Sequence, residues 1–150
     1  MTLHLLDANV LIRAHEDYYP IDRIPQFWSW LLEMAETATI KMPIQIYNEI
    51  ALSRGSLADW LRQLHVKEAL VLSEPTNLAR VQNVLVRGYA ADLTDVEIEE
   101  IGQDPFLVAA ALNGADRVVV TREASKPSAQ RANRRIPEVC MAFGITAITD

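Results

Sequence analysis

Residues 102–123, GQDPFLVAAALNGADRVVVTRE, decide how the rest of the chain is read. Asp104 is followed by Pro105, which suits the first turn of a helix because its missing N–H would be unpaired there anyway. Residues 106–112 are apolar without a break, too wide a surface for a one-faced helix, so burial on most sides is expected. Asn113 and Gly114 stop the helix. Val118, Val119 and Val120 are a short β-branched run of the kind buried in a parallel sheet. The strand closes on Thr121, Arg122 and Glu123. Ligands collect at the carboxyl ends of strands in open α/β sheets. Asp104, Thr121 and Glu123 therefore stand where chemistry is expected.

A chain of 150 residues, half of them apolar and 23% charged, has the size and composition of one ordinary globular domain. No apolar run approaches the length of a membrane span, and the opening residues MTLHLLD lack the basic region of a secretory signal. The one cysteine, Cys140, excludes an internal disulfide and a cysteine-based metal cluster, and is expected to be a small buried hydrophobe. A reduced, cytoplasmic setting is the expectation. The net charge of −6 argues against non-specific coating of nucleic acid. The charge is uneven, however. Asp92, Asp95, Glu97, Glu99, Glu100 and Asp104 form an acidic run without a base. Arg122, Lys126, Arg131, Arg134 and Arg135 follow with Glu123 as the one acid among them, a segment able to hold a phosphate backbone or merely to stay solvated.

Going outward in chain order, residues 3–6 are expected as a first strand, ending at Asp7-Ala8-Asn9, where acid and amide can cap a following helix. Asp22 is expected to cap a helix that has Pro25 in its first turn and Phe27, Trp28, Leu31, Leu32 and Ala35 on one face, widened by Trp30 and Met34. That face is core, with part of it available as a subunit interface. Residues 39–42 make a second short strand. Pro43 starts a helix in which Glu49 lies among Ile46, Tyr47 and Ile50, so this acid needs a partner, a cation or a raised pKa. Ser56 with Asp59, and Thr94 with Glu97, have the spacing of capping boxes. Residues 69–72 are a candidate third strand, and Leu78, Val81, Leu85 and Tyr89 mark another amphipathic helix. A loop-like basic segment, a short helix from Pro137 and a terminal strand over residues 145–148 complete the chain. Alternating strands and helices imply a single α/β domain with a central, largely parallel twisted sheet flanked by helices.

Asp7, Glu49, Asp104 and Glu123 share one situation: each stands at the end or edge of a core element. If they converge, two carboxylates about 5 Å apart at an effective dielectric of about 20 repel by roughly 3 kcal/mol. Four together stay ionised only around a cation, and an all-oxygen donor set selects Mg²⁺ or Mn²⁺. Such a site suits phosphodiester hydrolysis. The helix N-terminus is expected to hold Asp104 in its ionised form.

LLDANVLI around Asp7, IYNEI around Glu49, DPFLVAAALNGADRVVVT from Asp104 to Thr121, and the following Glu123 resemble a PIN domain, the nuclease fold of VapC-type toxins and many RNA-processing endonucleases. The resemblance spans nearly the whole chain, residues 1–150. It implies that Asp7, Glu49, Asp104 and Glu123 are metal-binding catalytic acids, with Asn9 and Thr121 as polar supports. The family usually has Asp at the fourth position; Glu123 keeps the charge with one methylene more. Residues 125–143 resemble one uncharacterised prokaryotic branch of PIN-like proteins more than the toxins. The implied function is metal-dependent cleavage of RNA. In the toxin half of a toxin–antitoxin pair, the helix surface near Trp28 and Trp30 would meet an antitoxin or a second copy in a homodimer. Arg122, Arg131, Arg134 and Arg135 would contact phosphates.

The alternatives are a PIN-like module that binds RNA or protein without cutting, and a haloacid-dehalogenase-type phosphatase. The second also places an acid after its first strand, but it needs another acid where Asn9 stands. His4, His15 and His65 fall in no recognisable catalytic motif.

Overall fold

Four short strands, β1 (Leu3–Leu6), β2 (Ile40–Lys41), β3 (Arg117–Val120) and β4 (Thr146–Ile148), form one sheet in the order β2-β1-β3-β4, with every pairing parallel. The computed structural model describes all 150 residues. Helices connect the strands: α1 (Ala8–Arg13), α2 (Pro25–Glu36), α3 (Ile44–Ala51), α4 (Ser56–Leu61), α5 (Leu64–Leu70), α6 (Leu78–Asn83), α7 (Asp95–Ile101), α8 (Asp104–Leu112) and α9 (Ile136–Ala142). The chain is thus an α/β domain with a parallel sheet flanked by helices. None of its helices is long and apolar enough to cross a membrane.

The topology locates the crevice. From β1 the chain crosses to β2 on one side, while from β3 it crosses to β4 on the other, so the direction of winding reverses between the neighbours β1 and β3. Ligands sit outside the carboxyl ends of strands at such a switch point. The register sets Leu6 beside Val120, so Asp7 and Thr121 emerge next to each other. The Asp7 N–H donates to the Val120 carbonyl at 2.9 Å, and the Thr121 N–H to that of Ile148 at 3.0 Å.

The core follows from α8. Pro105 and Leu107 to Ala111 are all buried, as a helix apolar all round requires. Cys140 is buried on α9. Gly102 leaves α7 at a φ of 67°, in the left-handed region that a glycine enters at no steric cost, and so turns the chain into α8. The Thr94–Glu97 capping box is present with both of its bonds.

Several expectations are corrected. Asp22 caps nothing: a turn intervenes, Ile24 takes the cap position, and Pro25 has already removed one donor in need of a partner. Ser56 and Asp59 make no capping box, because Gly55 stands at the cap and Asp59 pairs instead with Arg62. Residues 69–72 are not a strand. Helix α5 runs to Leu70, and Val71 alone bridges Met42, with Leu72 N–H donating to the Met42 carbonyl at 2.8 Å. Its four apolar residues are too few for period alone to separate helix from strand. The helix through Tyr89 changes character midway: after α6 the chain makes a π-helical turn, Val84–Tyr89.

Replacing Leu107, fully buried on α8, by Ala is expected to lower unfolding free energy by about 2–5 kcal/mol in urea titrations. The same change at Leu78, which is 70% exposed, is expected to cost under about 0.5 kcal/mol. Equal effects would mean that α8 is not the centre of the core.

Candidate active site

Asp7 follows β1 directly and is 5% exposed. Its Oδ1 accepts from the Ala8 N–H at 2.8 Å, capping α1, and its Oδ2 accepts from the Thr121 hydroxyl at 2.9 Å. Thr121 Oγ1 also accepts from the Glu123 N–H at 3.1 Å, and Asn9 Nδ2 stands 3.4 Å from it. Asn9 Oδ1 accepts from the Arg122 N–H at 3.0 Å. Asn9 and Thr121 therefore tie the ends of β1 and β3 together.

The electrostatics bring the four acids into one neighbourhood. Burial pushes Asp104 up to about 8, with Asp7, Glu123 and Glu49 each adding to the rise. Glu49 is raised by partial withdrawal of its carboxyl from water and then by Asp7. Glu123 is raised by burial and by Asp7, against a backbone hydrogen bond from Ile136 and the charge of Arg135 that lower it. Burial raises Asp7 as well, partly offset by the bonds from Thr121 and Ala8. Asp104 is thus the acid on which the other three act, while Asp7 is raised by burial alone. The expectation that the helix N-terminus keeps Asp104 ionised is corrected: desolvation and three neighbouring acids outweigh a terminal dipole worth about 1 kcal/mol.

A polar cleft of about 560 Å³ opens at two of them, lined by Asp104 and Glu123 together with Glu100, Lys126, Arg134, Arg135 and Tyr89, whereas Asp7 and Glu49 do not line it. The four candidate phosphate-contacting arginines divide. Arg134 and Arg135 line the cleft, Arg135 lying 3.8 Å from Glu123 while Arg134 donates to the Gly88 carbonyl. Arg131 is turned away, bonded to Glu97 at 2.9 Å and Asp92 at 2.8 Å. Arg122 pairs with Asp150 at 3.1 Å and lies over the Tyr18 ring, in a second, apolar groove. Glu138, buried on α9, accepts from the Ser125 hydroxyl and the Lys126 N–H, each at 2.6 Å, and so anchors the start of the basic loop.

In chemistry the donor set, carboxylates alone, matches a hard divalent cation. The side chains are nevertheless not drawn together, and no three of them are placed so as to hold an ion as they stand. Tyr89 and Lys126 were not singled out as site residues in the sequence. Tyr89 fell on a helical apolar stripe and Lys126 in a run of bases, so neither carried a distinguishing signal.

The raised acids set a pH dependence. An Asp at about 8 in the folded chain and about 4 when unfolded is protonated only in the native state between those values. The native state then binds more protons, so stability falls as pH rises from about 4 to about 8 and levels off above it. In chelator-treated protein, Asp104→Asn is expected to flatten this decline by up to about 1.4 kcal/mol per pH unit. Urea midpoints at several pH values check this, and parallel profiles for the two proteins would refute it.

No curated protein matches the sequence. A family model does match, along residues 4–150, and the chain belongs to the family it describes, Domain of unknown function (DUF4411).

Proposed function

We propose that this chain is a metal-dependent endoribonuclease of PIN-like type. One observation carries the proposal: at the switch point of a parallel sheet, Asp104 in the first turn of α8 is buried and its affinity for protons is raised by Asp7, Glu123 and Glu49 together. Structural ion pairs put opposite charges together, whereas here like charges are gathered without a cationic side chain among them beyond Arg135 at 3.8 Å.

Asp7 and Asp104 would hold a Mg²⁺ or Mn²⁺ ion, with Glu49 and Glu123 completing the shell. Such an ion, when bound, supplies the charge that activates water and stabilises the transition state of phosphodiester hydrolysis. Thr121 and the Ala8 N–H keep the Asp7 carboxylate oriented, leaving its remaining lone pairs toward the site. Lys126, Arg134 and Arg135 line the same cleft as Asp104 and Glu123, where they would offset phosphate charge. A role as the toxin of a toxin–antitoxin pair is the finer proposal. Its docking surface would be the apolar groove of about 570 Å³ bounded by Tyr18, Tyr19, Phe27 and Trp30. Trp28 takes no part, being 1% exposed with its indole N–H bonded to the Tyr19 carbonyl at 2.7 Å.

A non-cutting RNA- or protein-binding module is the second reading, and the observation in its favour is that no three acids are placed to hold an ion. Retention of all four carboxylates favours cutting, since binding alone gains nothing from like charges under repulsion.

With Mn²⁺ and single-stranded RNA, the purified chain is expected to generate internal cleavage products. Asp7→Asn and Asp104→Asn are each expected to lower the rate at least about a hundredfold, which gel analysis of end-labelled RNA would reveal. Variants that cut as fast as the parent would trace the activity to a contaminant. RNA binding without cleavage by the parent would favour the non-cutting module.

A further inference from the structure

We propose that the Tyr89 hydroxyl is a positioning group for the acidic site, donating a hydrogen bond that holds the Asp104 carboxylate when it receives a divalent cation. The inference rests on the nuclease reading for the cation, and on geometry of its own for the tyrosine.

Tyr89 Oη is the one buried side-chain polar atom in the chain without a hydrogen-bond partner. A phenol has one proton to donate, and leaving a buried polar group unpaired costs about 1–3 kcal/mol. Phenylalanine would fill the same space without that cost. The residue lines the cleft together with Asp104 and Glu123, the two acids that act on it most. Asp104 has the converse deficit. Thr121 and the Ala8 N–H bond to Asp7, and a backbone N–H supports Glu123, whereas no hydrogen bond supports Asp104. A donor without an acceptor and an acid without a donor thus belong to the lining of one cleft.

The chain is built to keep the phenol there. The π-helical turn Val84–Tyr89 displaces the end of its helix from the α-helical register, and such turns recur at functional sites. Gly88 allows the turn to lie against α9, since a Cβ at that position would come within 2.9 Å of Val139 Cγ1. Arg134 donates to the Gly88 carbonyl. The backbone before Tyr89 is therefore held by both packing and a hydrogen bond, and the residue is buried to 7% exposure. The acids are not yet gathered to hold an ion, so the carboxylate of Asp104 must turn to join the others. A fixed donor beside it selects the rotamer, as partners behind metal-binding carboxylates commonly do.

The test is Tyr89→Phe in the full chain, with Mn²⁺ affinity followed by titration calorimetry and stability by urea denaturation. The variant is expected to bind Mn²⁺ about tenfold to a hundredfold more weakly, with an unchanged or higher urea midpoint because an unpaired hydroxyl has been removed. Equal Mn²⁺ affinity in parent and variant overturns the inference and leaves the nuclease reading standing. A lower midpoint at unchanged affinity also overturns it, marking the phenol as structural. Failure of the parent itself to bind Mn²⁺ overturns the cation site and this inference together.

Discussion

Repulsion between carboxyl groups confined at the junction of β1 and β3 is the constraint on which the rest of this structure turns. Like charges withdrawn from water are costly, and a fold that needed only stability would separate them or add a cation from its own side chains. Here the parallel register of β1 with β3 pairs Leu6 with Val120, so that Asp7 emerges beside Thr121, two residues before Glu123. Helix α8 then enters the same place with Asp104 in its first turn. Relief is given to Asp7, through Thr121 and the start of α1, and withheld from Asp104.

The basic loop is arranged so as not to cancel this charge. Arg131 spans to Asp92 and Glu97 on the acidic flank, and Arg122 to Asp150 at the C-terminus. Ser125 and Lys126 are anchored by Glu138, and Arg134 by the carbonyl of Gly88. Arg135 alone approaches a site acid, at 3.8 Å from Glu123. The acids of residues 92–104 thus act partly as partners that draw guanidinium groups away from the centre. Acids and bases thus line the same cleft, with Arg135 and Glu123 as the one pair that meets there.

Away from the cleft, the aromatic side chains divide between core and surface. Trp28 is sealed inside, edge-on to Phe27 and Trp60, whereas Tyr19 stacks on Phe27 with Trp30 beside them at the rim of the apolar groove. Helical spacing placed Trp28 on the core face, but it did not say how far the neighbouring elements would cover the positions beside it.

Much was legible in the amino-acid order because it depends on local chemistry. The β-branched run ending at Val120, the unbroken apolar run of α8 behind Asp104-Pro105, and the Thr94–Glu97 spacing each specify one element through period and capping alone. The parallel α/β class and the four acids as candidates followed from the ordering of such elements. The caps assigned to Asp22 and Ser56 failed because a turn and a glycine competed for the same few residues, and the strand over residues 69–72 failed because four apolar residues carry no period. Only the tertiary structure decided what the acids experience. Burial and repulsion at Asp104 depend on Asp7, Glu49 and Glu123, groups on other elements, and they reversed the ionisation that the start of α8 alone implied for Asp104. The same holds for Tyr89: along the chain it was one apolar residue on a stripe, and the packing of a π-helical turn against α9 made it the unpaired donor beside that acid.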